Sequence, residues 1–265
     1  MNAQRLGRRG LERLRDRLAD RDLSILRSVE EFRLLTAPQI ETLHFIDHAT
    51  PLTAARSARR VLERLTRDRV LARLERRIGG VRAGSASYVY AVGPAGHRLL
   101  HDDATRRWRE PSETFVAHTL DVANLVITVM SAARAGKTTL VEYQTEPACW
   151  RDFPRPMAGL QTLKPDLFMA TATVDAELRW FIEVDLGTES GAAIVRKCRT
   201  YHAYWQTGIE QDCHDVFPKV IWIADTTRRA GLINRAIRGA RSLHQPLFGV
   251  TTNSEAIGLL AGGNP

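Results

Sequence analysis

Three short segments in the C-terminal half could together hold a divalent cation beside a phosphodiester: Lys164-Pro165-Asp166, Phe181-Ile182-Glu183-Val184-Asp185 and Arg196-Lys197. Mg2+ and Mn2+ prefer carboxylate oxygens, and metal-dependent phosphodiester cleavage needs such oxygens on neighbouring elements plus a cation for the phosphate. Asp166 begins a predicted strand. Glu183 and Asp185 are two residues apart on the next, so the pleat points both to one face. Lys197 falls about two turns into the following helix, where its long stem can reach back. The plainer reading is a set of solvated strand-end carboxylates with Pro165-Asp166 as a turn, and a Pro-Asp pair alone carries no weight. Glu183-x-Asp185 in an otherwise apolar strand favours a shared site. Asp166, Glu183 and Asp185 are then the metal ligands, and Lys197 is the cation that stabilises the phosphate oxygens.

A second constellation is basic. Arg56, Arg59, Arg60, Arg64 and Arg67 lie on a helix predicted over 53–68, opposite Ala58, Val61, Leu62 and Leu65. Arg73, Arg76, Arg77 and Arg82 follow in and around a strand–turn–strand segment. Arginine can grip guanine or phosphate bidentately, so both groups are candidate DNA contacts. The alternative is a solvated face in an arginine-rich chain, since 34 Arg stand against 4 Lys. Charge asymmetry argues for the first reading. Residues 1–110 hold 23 Arg and 14 acidic residues, whereas 111–265 hold 15 Lys or Arg and 16 acidic residues. A basic half beside a near-neutral one points to a polyanionic partner for the first half, with double-stranded DNA foremost.

The elements that must carry these residues read as two domains in 265 residues. Residues 1–20 are a charged helix or tail. Asp22 is a candidate cap for a first helix, Thr36 and Pro38 open a second, and 53–68 is the third. Alternation over 70–76 and 87–92 around a glycine-rich turn completes helix–helix–helix–hairpin, the order of a winged helix-turn-helix over 21–102. A polar linker is expected at 103–111. From 112 to 265 the pattern is a long helix, a strand, an irregular Pro-rich stretch over 147–165, two strands, a helix, the apolar strand Lys219–Ala224, and further helices around a short strand. That is a mixed α/β domain.

Other classes drop out. Three cysteines without a CxxC pair argue against a disulfide framework or a cysteine-built zinc site. The longest apolar stretch, Val122 to Ala133, is interrupted and short for a membrane span. With no apolar leader after Met1, a cytoplasmic protein that does not engage membranes is expected. Ala135-Gly136-Lys137-Thr138 imitates a phosphate loop but follows a helix and lacks the first glycine. Asp212-Cys213-His214-Asp215 and His101-Asp102-Asp103 are ligand-rich but read as polar loops, and Tyr201 with Trp205 reads as core.

The chain resembles the replication-relaxation family of plasmids and integrative elements. The residues that carry the likeness are Leu163-x-Pro165-Asp166, Ile182-Glu183-Val184-Asp185-x-Gly187-Thr188-Glu189-Ser190, Lys197 and Tyr201. The resemblance implies a winged helix joined to a domain similar to the PD-(D/E)xK restriction-endonuclease-like fold. It implies DNA binding in replication, relaxation or transfer of a mobile element, with Mg2+ or Mn2+ if the site is catalytic. A homodimer and replication or transfer proteins of the element are the further partners it suggests. One departure matters: Asp185 stands where that motif has lysine. Lys197 is then a relocated lysine and the site nicks or cleaves DNA. The alternative is a non-catalytic DNA-binding replication or transcription factor with the second domain as a dimerisation or docking platform.

Overall fold

The computed structural model describes residues 7–79, 86–101, 112–155 and 159–262, by backbone alone at 75–79 and 86. It is a mixed α/β protein, with ten α-helices and three sheets among the described residues. Residue contacts divide it into two units, Met1–Ile127 and Thr128–Pro265. The linker expected at 103–111 lies outside the described residues.

The first unit opens with α1 (Arg8–Arg15) and α2 (Asp20–Phe32), followed by β1 (Leu35–Thr36), α3 (Ala37–His44) and α4 (Pro51–Arg67). The strands β2 (Leu71–Gly79) and β3 (Ala86–Val92) and the short α5 (Pro94–Leu100) complete it. Asp22 is not the cap of α2. It sits in the first turn, where its carboxylate accepts the Ala19 N–H at 2.9 Å and the Arg64 guanidinium at 2.7 Å. Thr36 caps α3 as expected, and Thr50 caps α4 three residues earlier than the predicted start. Ala54, Ala58, Leu62 and Leu65 form the buried stripe of α4, and full burial of each leucine contributes about 1.5–3 kcal/mol. Two elements escaped the sequence reading. β1 is only two residues long, yet pairs with β3 to make a β1-β3-β2 sheet. Helix α5 is opened by Pro94 at its first turn.

Helix α6 (Glu113–Arg134) runs across the division. Val116 and Leu120 pack with Leu34, Leu74, Val89 and Ala91 of the first unit, and the Gln39 amide donates to the Leu120 carbonyl at 3.0 Å. Its 22 residues match the long helix expected from residue 112, and by length and composition alone it is long and apolar enough to cross a membrane.

The second unit is built on a five-stranded sheet in the order β10-β9-β8-β7-β4. Its members are β4 (Thr139–Thr145), β7 (Leu167–Ala172), β8 (Glu177–Asp185), β9 (Lys219–Ala224) and β10 (Phe248–Thr252). The first three run antiparallel, and β8, β9 and β10 run parallel. The stretch expected to be irregular contains a β-hairpin, β5 (Arg151–Arg155) with β6 (Gly159–Leu163). Its prolines hid it, but Pro154 is tolerated because this is a two-stranded ribbon with free edges. Helices α7 (Gly191–Trp205) and α9 (Thr227–Gly239) cover the sheet face that carries Phe168, Ala170, Phe181, Val220 and Trp222. The small α8 (Ile209–His214) and α10 (Asn253–Leu260) complete the unit.

Candidate functional site

Asp166 immediately precedes β7, and Leu167 pairs with Ile182 of β8. That register brings the Asp166 carboxylate to the end of β8, where its Oδ2 accepts the Val184 N–H at 2.8 Å. In β8 the pleat sends Phe181, Glu183 and Asp185 to one face and Trp180, Ile182 and Val184 to the other. Phe181 belongs to the core under α7 and α9, so Glu183 and Asp185 are carried into that layer as well. The chain leaves β8 through Gly187, whose positive φ of 81° suits glycine. Ser190 then caps α7 by accepting the Ala193 N–H.

Along α7 the buried residues Ile194, Cys198, Tyr201 and Tyr204 follow helical spacing, and Lys197 lies within the same stripe. Its ammonium lies 3.5 Å from Asp166 Oδ1 and in direct contact with Glu183 Oε2. One turn later the Tyr201 hydroxyl donates to Glu183 Oε1. Asp166, Glu183 and Lys197 therefore converge. Asp185 does not join them: its two oxygens take the Arg229 guanidinium at 2.6 and 2.8 Å, and Oδ1 also accepts the Gly187 N–H.

Burial dominates the electrostatics. Glu183 is 1% exposed, and desolvation lifts its carboxyl well above the usual range; Lys197 opposes that shift and Asp166 adds to it. Burial works against the charge on Lys197 too, but Glu183 and Asp166 together outweigh it, so its pKa is raised and it stays an ammonium. Tyr201 is pushed well above its ordinary value, by burial first and Glu183 next, and stays a neutral donor. Two carboxylates facing one ammonium leave an acidic site that can accept further positive charge. Cys149 and Cys198 lie close by, each pushed up to about 12 chiefly by burial. They remain thiols and offer no nucleophile at neutral pH.

A family model described as Replication-relaxation matches residues 26–220, well over half of the chain. The chain belongs to the replication-relaxation family. Membership suggests a role in replication or relaxation. No curated protein and no solved structure matches it. In this replication-relaxation protein the matched span includes Asp166, Glu183, Lys197 and Tyr201 but ends before Arg229.

The basic residues separate by environment. Arg56, Arg59, Arg60 and Arg67 are exposed on α4, opposite its buried stripe. Arg64 is only half-buried but is bound to Asp22, whose side chain is 2% exposed, so part of its charge serves the fold. Arg73 stacks on Tyr88, 4.3 Å from the ring centroid. The side chains of Arg76 and Arg77, and Arg82 altogether, lie outside the described residues.

Two neighbours of the site differ in how far the sequence announces them. Tyr201 is among the residues that carry the family likeness and otherwise reads as core; its spacing of four from Lys197 puts both over one strand residue. Arg229 carries no local signal. Only the pairing of Asp185 with Ala224, the last residue of β9, places the start of α9 beside it.

Proposed function

We propose that this replication-relaxation protein binds duplex DNA through its first unit and nicks or cleaves DNA with Mg2+ or Mn2+ at Asp166, Glu183 and Lys197, in replication or transfer of a plasmid or integrative element. One observation carries the reading: two buried carboxylates, one just before β7 and one in the adjacent β8, meet one lysine from the following helix. The order α6–β4–β7–β8–α7–β9, an antiparallel meander joined through a helix to a parallel strand, supports a PD-(D/E)xK-like domain. Lys197 takes the part of the lysine that Asp185 replaces. In the first unit, α2–β1–α3–α4–β2–β3 with its β1-β3-β2 sheet supports a winged helix-turn-helix, and α4 is the helix that would enter the major groove.

Asp166 Oδ1 and Glu183 Oε2 already share one cation, and an oxygen pair of that kind suits a hard divalent ion. They are the residues that would hold it, whereas Asp185 is committed to Arg229. Mg2+ or Mn2+ bound there would acidify a water and offset charge on the phosphate. Tyr201 holds Glu183 in place by its hydrogen bond. Lys197, 27% exposed at its side chain, can turn its ammonium to a non-bridging phosphate oxygen and stabilise the negative charge that grows there.

The closed ion pair favours a second reading, a non-catalytic platform in a DNA-binding replication factor. Supercoiled plasmid incubated with the full chain and Mg2+, Mn2+ or EDTA separates the two. The nuclease reading expects open-circular or linear product that EDTA and Asp166→Asn abolish. Intact supercoiled plasmid at millimolar Mn2+, with DNA bound, would leave the platform reading.

A further inference from the structure

Outside the carboxylate–lysine site, Glu30, His97 and His101 gather on the first unit. The Glu30 carboxylate lies 3.0 Å from His101 Nε2 and 3.9 Å from His97 Nδ1, and the three ligand atoms all fall within 4.8 Å of one another. We infer that these residues form a binding site for a divalent transition-metal ion, with Zn2+ the best suited.

Ligand chemistry selects the ion. Two imidazoles and one carboxylate suit zinc better than magnesium or calcium, which prefer all-oxygen sets. Tetrahedral bonds of about 2.0–2.1 Å put ligand atoms roughly 3.3 Å apart, so modest rotamer adjustments close the set around an ion. Each residue brings its donor from a defined place. His97 lies in α5, and His101 is the residue that caps its C-terminal end, its N–H held by the His97 carbonyl at 2.8 Å. Glu30 comes from the last turn of α2.

Gly96 sets the approach of these two helices. A Cβ there would stand 2.2 Å from the Val70 carbonyl and 2.8 Å from Leu26 Cδ1, one turn before Glu30 on α2. Only a residue without a side chain lets α5 seat this deeply, and the neighbouring His97 is thereby held beside Glu30. The side chains of Glu30 and His97 are 30% and 19% exposed and that of His101 54%, so the cluster is open to an ion from solvent. Binding there would clip α5 to α2 and stabilise the first unit, because an ion that binds only the folded state shifts the folding equilibrium.

Calorimetric titration of tag-free full-length protein with ZnCl2 tests this. The expected result is one Zn2+ per chain, with a higher melting temperature at saturation. His101→Ala, an exposed change that spares the fold, should weaken binding at least about tenfold, the least that altering even a residue behind a ligand costs. Asp166→Ala should leave Zn2+ affinity unchanged. No stoichiometric Zn2+ binding, or wild-type affinity in His101→Ala, or loss of the ion in Asp166→Ala, would each overturn the assignment.

Discussion

Helix α4 keeps Arg56, Arg59, Arg60 and Arg67 in water, whereas the start of β7 and the end of β8 hold Asp166, Glu183 and Asp185 inside, each beside a cation from α7 or α9. The difference fits the two proposed roles. An arginine that meets a polyanion needs no fixed partner, since counterion release rewards the number of contacts more than their placement. A carboxylate meant for chemistry must be placed to a fraction of an ångström, and burial with a fixed partner does that at a large desolvation cost. The two regions should therefore respond in opposite ways to mutation: the buried one through stability, the exposed one through binding.

The largest effect is expected at Lys197. Lys197→Met leaves Asp166 and Glu183 buried without their ammonium, and removing one partner of a buried pair costs about 3–5 kcal/mol. Urea unfolding reads the loss directly. Arg229→Leu should cost about as much, because Asp185 is equally buried and is held bidentately. A cost below 1 kcal/mol at either position would break the contrast, for it would mean that these carboxylates are not ionised partners.

Next is Tyr201→Phe, which deprives a buried Glu183 oxygen of its donor and should cost about 1–3 kcal/mol. Its pH dependence sharpens the assignment. Tyr201 and Lys197 both have raised folded pKa values. The folded chain keeps protons that the unfolded chain releases above the ordinary values of 10.0 and 10.5. The stability these groups contribute is fully present below pH 10 and is lost as pH rises beyond it. Unfolding curves from pH 8 to 11 should fall above pH 10 in the wild type, and less steeply in Tyr201→Phe.

Effects on the exposed side appear in DNA affinity. Arg59→Ala and Arg60→Ala should each weaken a cognate duplex by about 1–3 kcal/mol. Both should leave unfolding free energies within about 0.5 kcal/mol of wild type. Arg64→Ala is the internal control and the smallest effect on binding. It should lower stability, since Asp22 loses its guanidinium, while DNA affinity changes least among the α4 arginines. Gel-shift titrations at several salt concentrations, run beside urea melts, rank all three.

The parts legible in the sequence are those with strong local signals. The Thr36 cap with Pro38 fixed α3, the apolar run of β9 marked a buried strand, and Glu183-x-Asp185 on one face followed from the pleat alone. What stayed hidden depends on neighbours distant in sequence. The two residues of β1 are a strand only because β3 is there to pair with them. The β5–β6 hairpin was masked by prolines that a free ribbon edge accepts. Shared facing did not mean shared partners: Glu183 went to Lys197 and Asp185 to Arg229, a split set by the start of α9 and invisible in local spacing. His101 reads locally as part of a polar loop, yet in the fold Glu30 and His97 lie beside it.

A single supercoiled-plasmid experiment tests the division of labour most directly. Wild type, Arg59→Ala with Arg60→Ala, and Glu183→Gln would be compared at fixed Mn2+, reading plasmid retardation and nicking on the same gels. The account predicts that the arginine variant loses retardation, and nicking only as far as occupancy falls. Glu183→Gln should retard plasmid like wild type and nick none of it. Nicking that persists in Glu183→Gln, or retardation that collapses in it while the domain stays folded, would contradict the account.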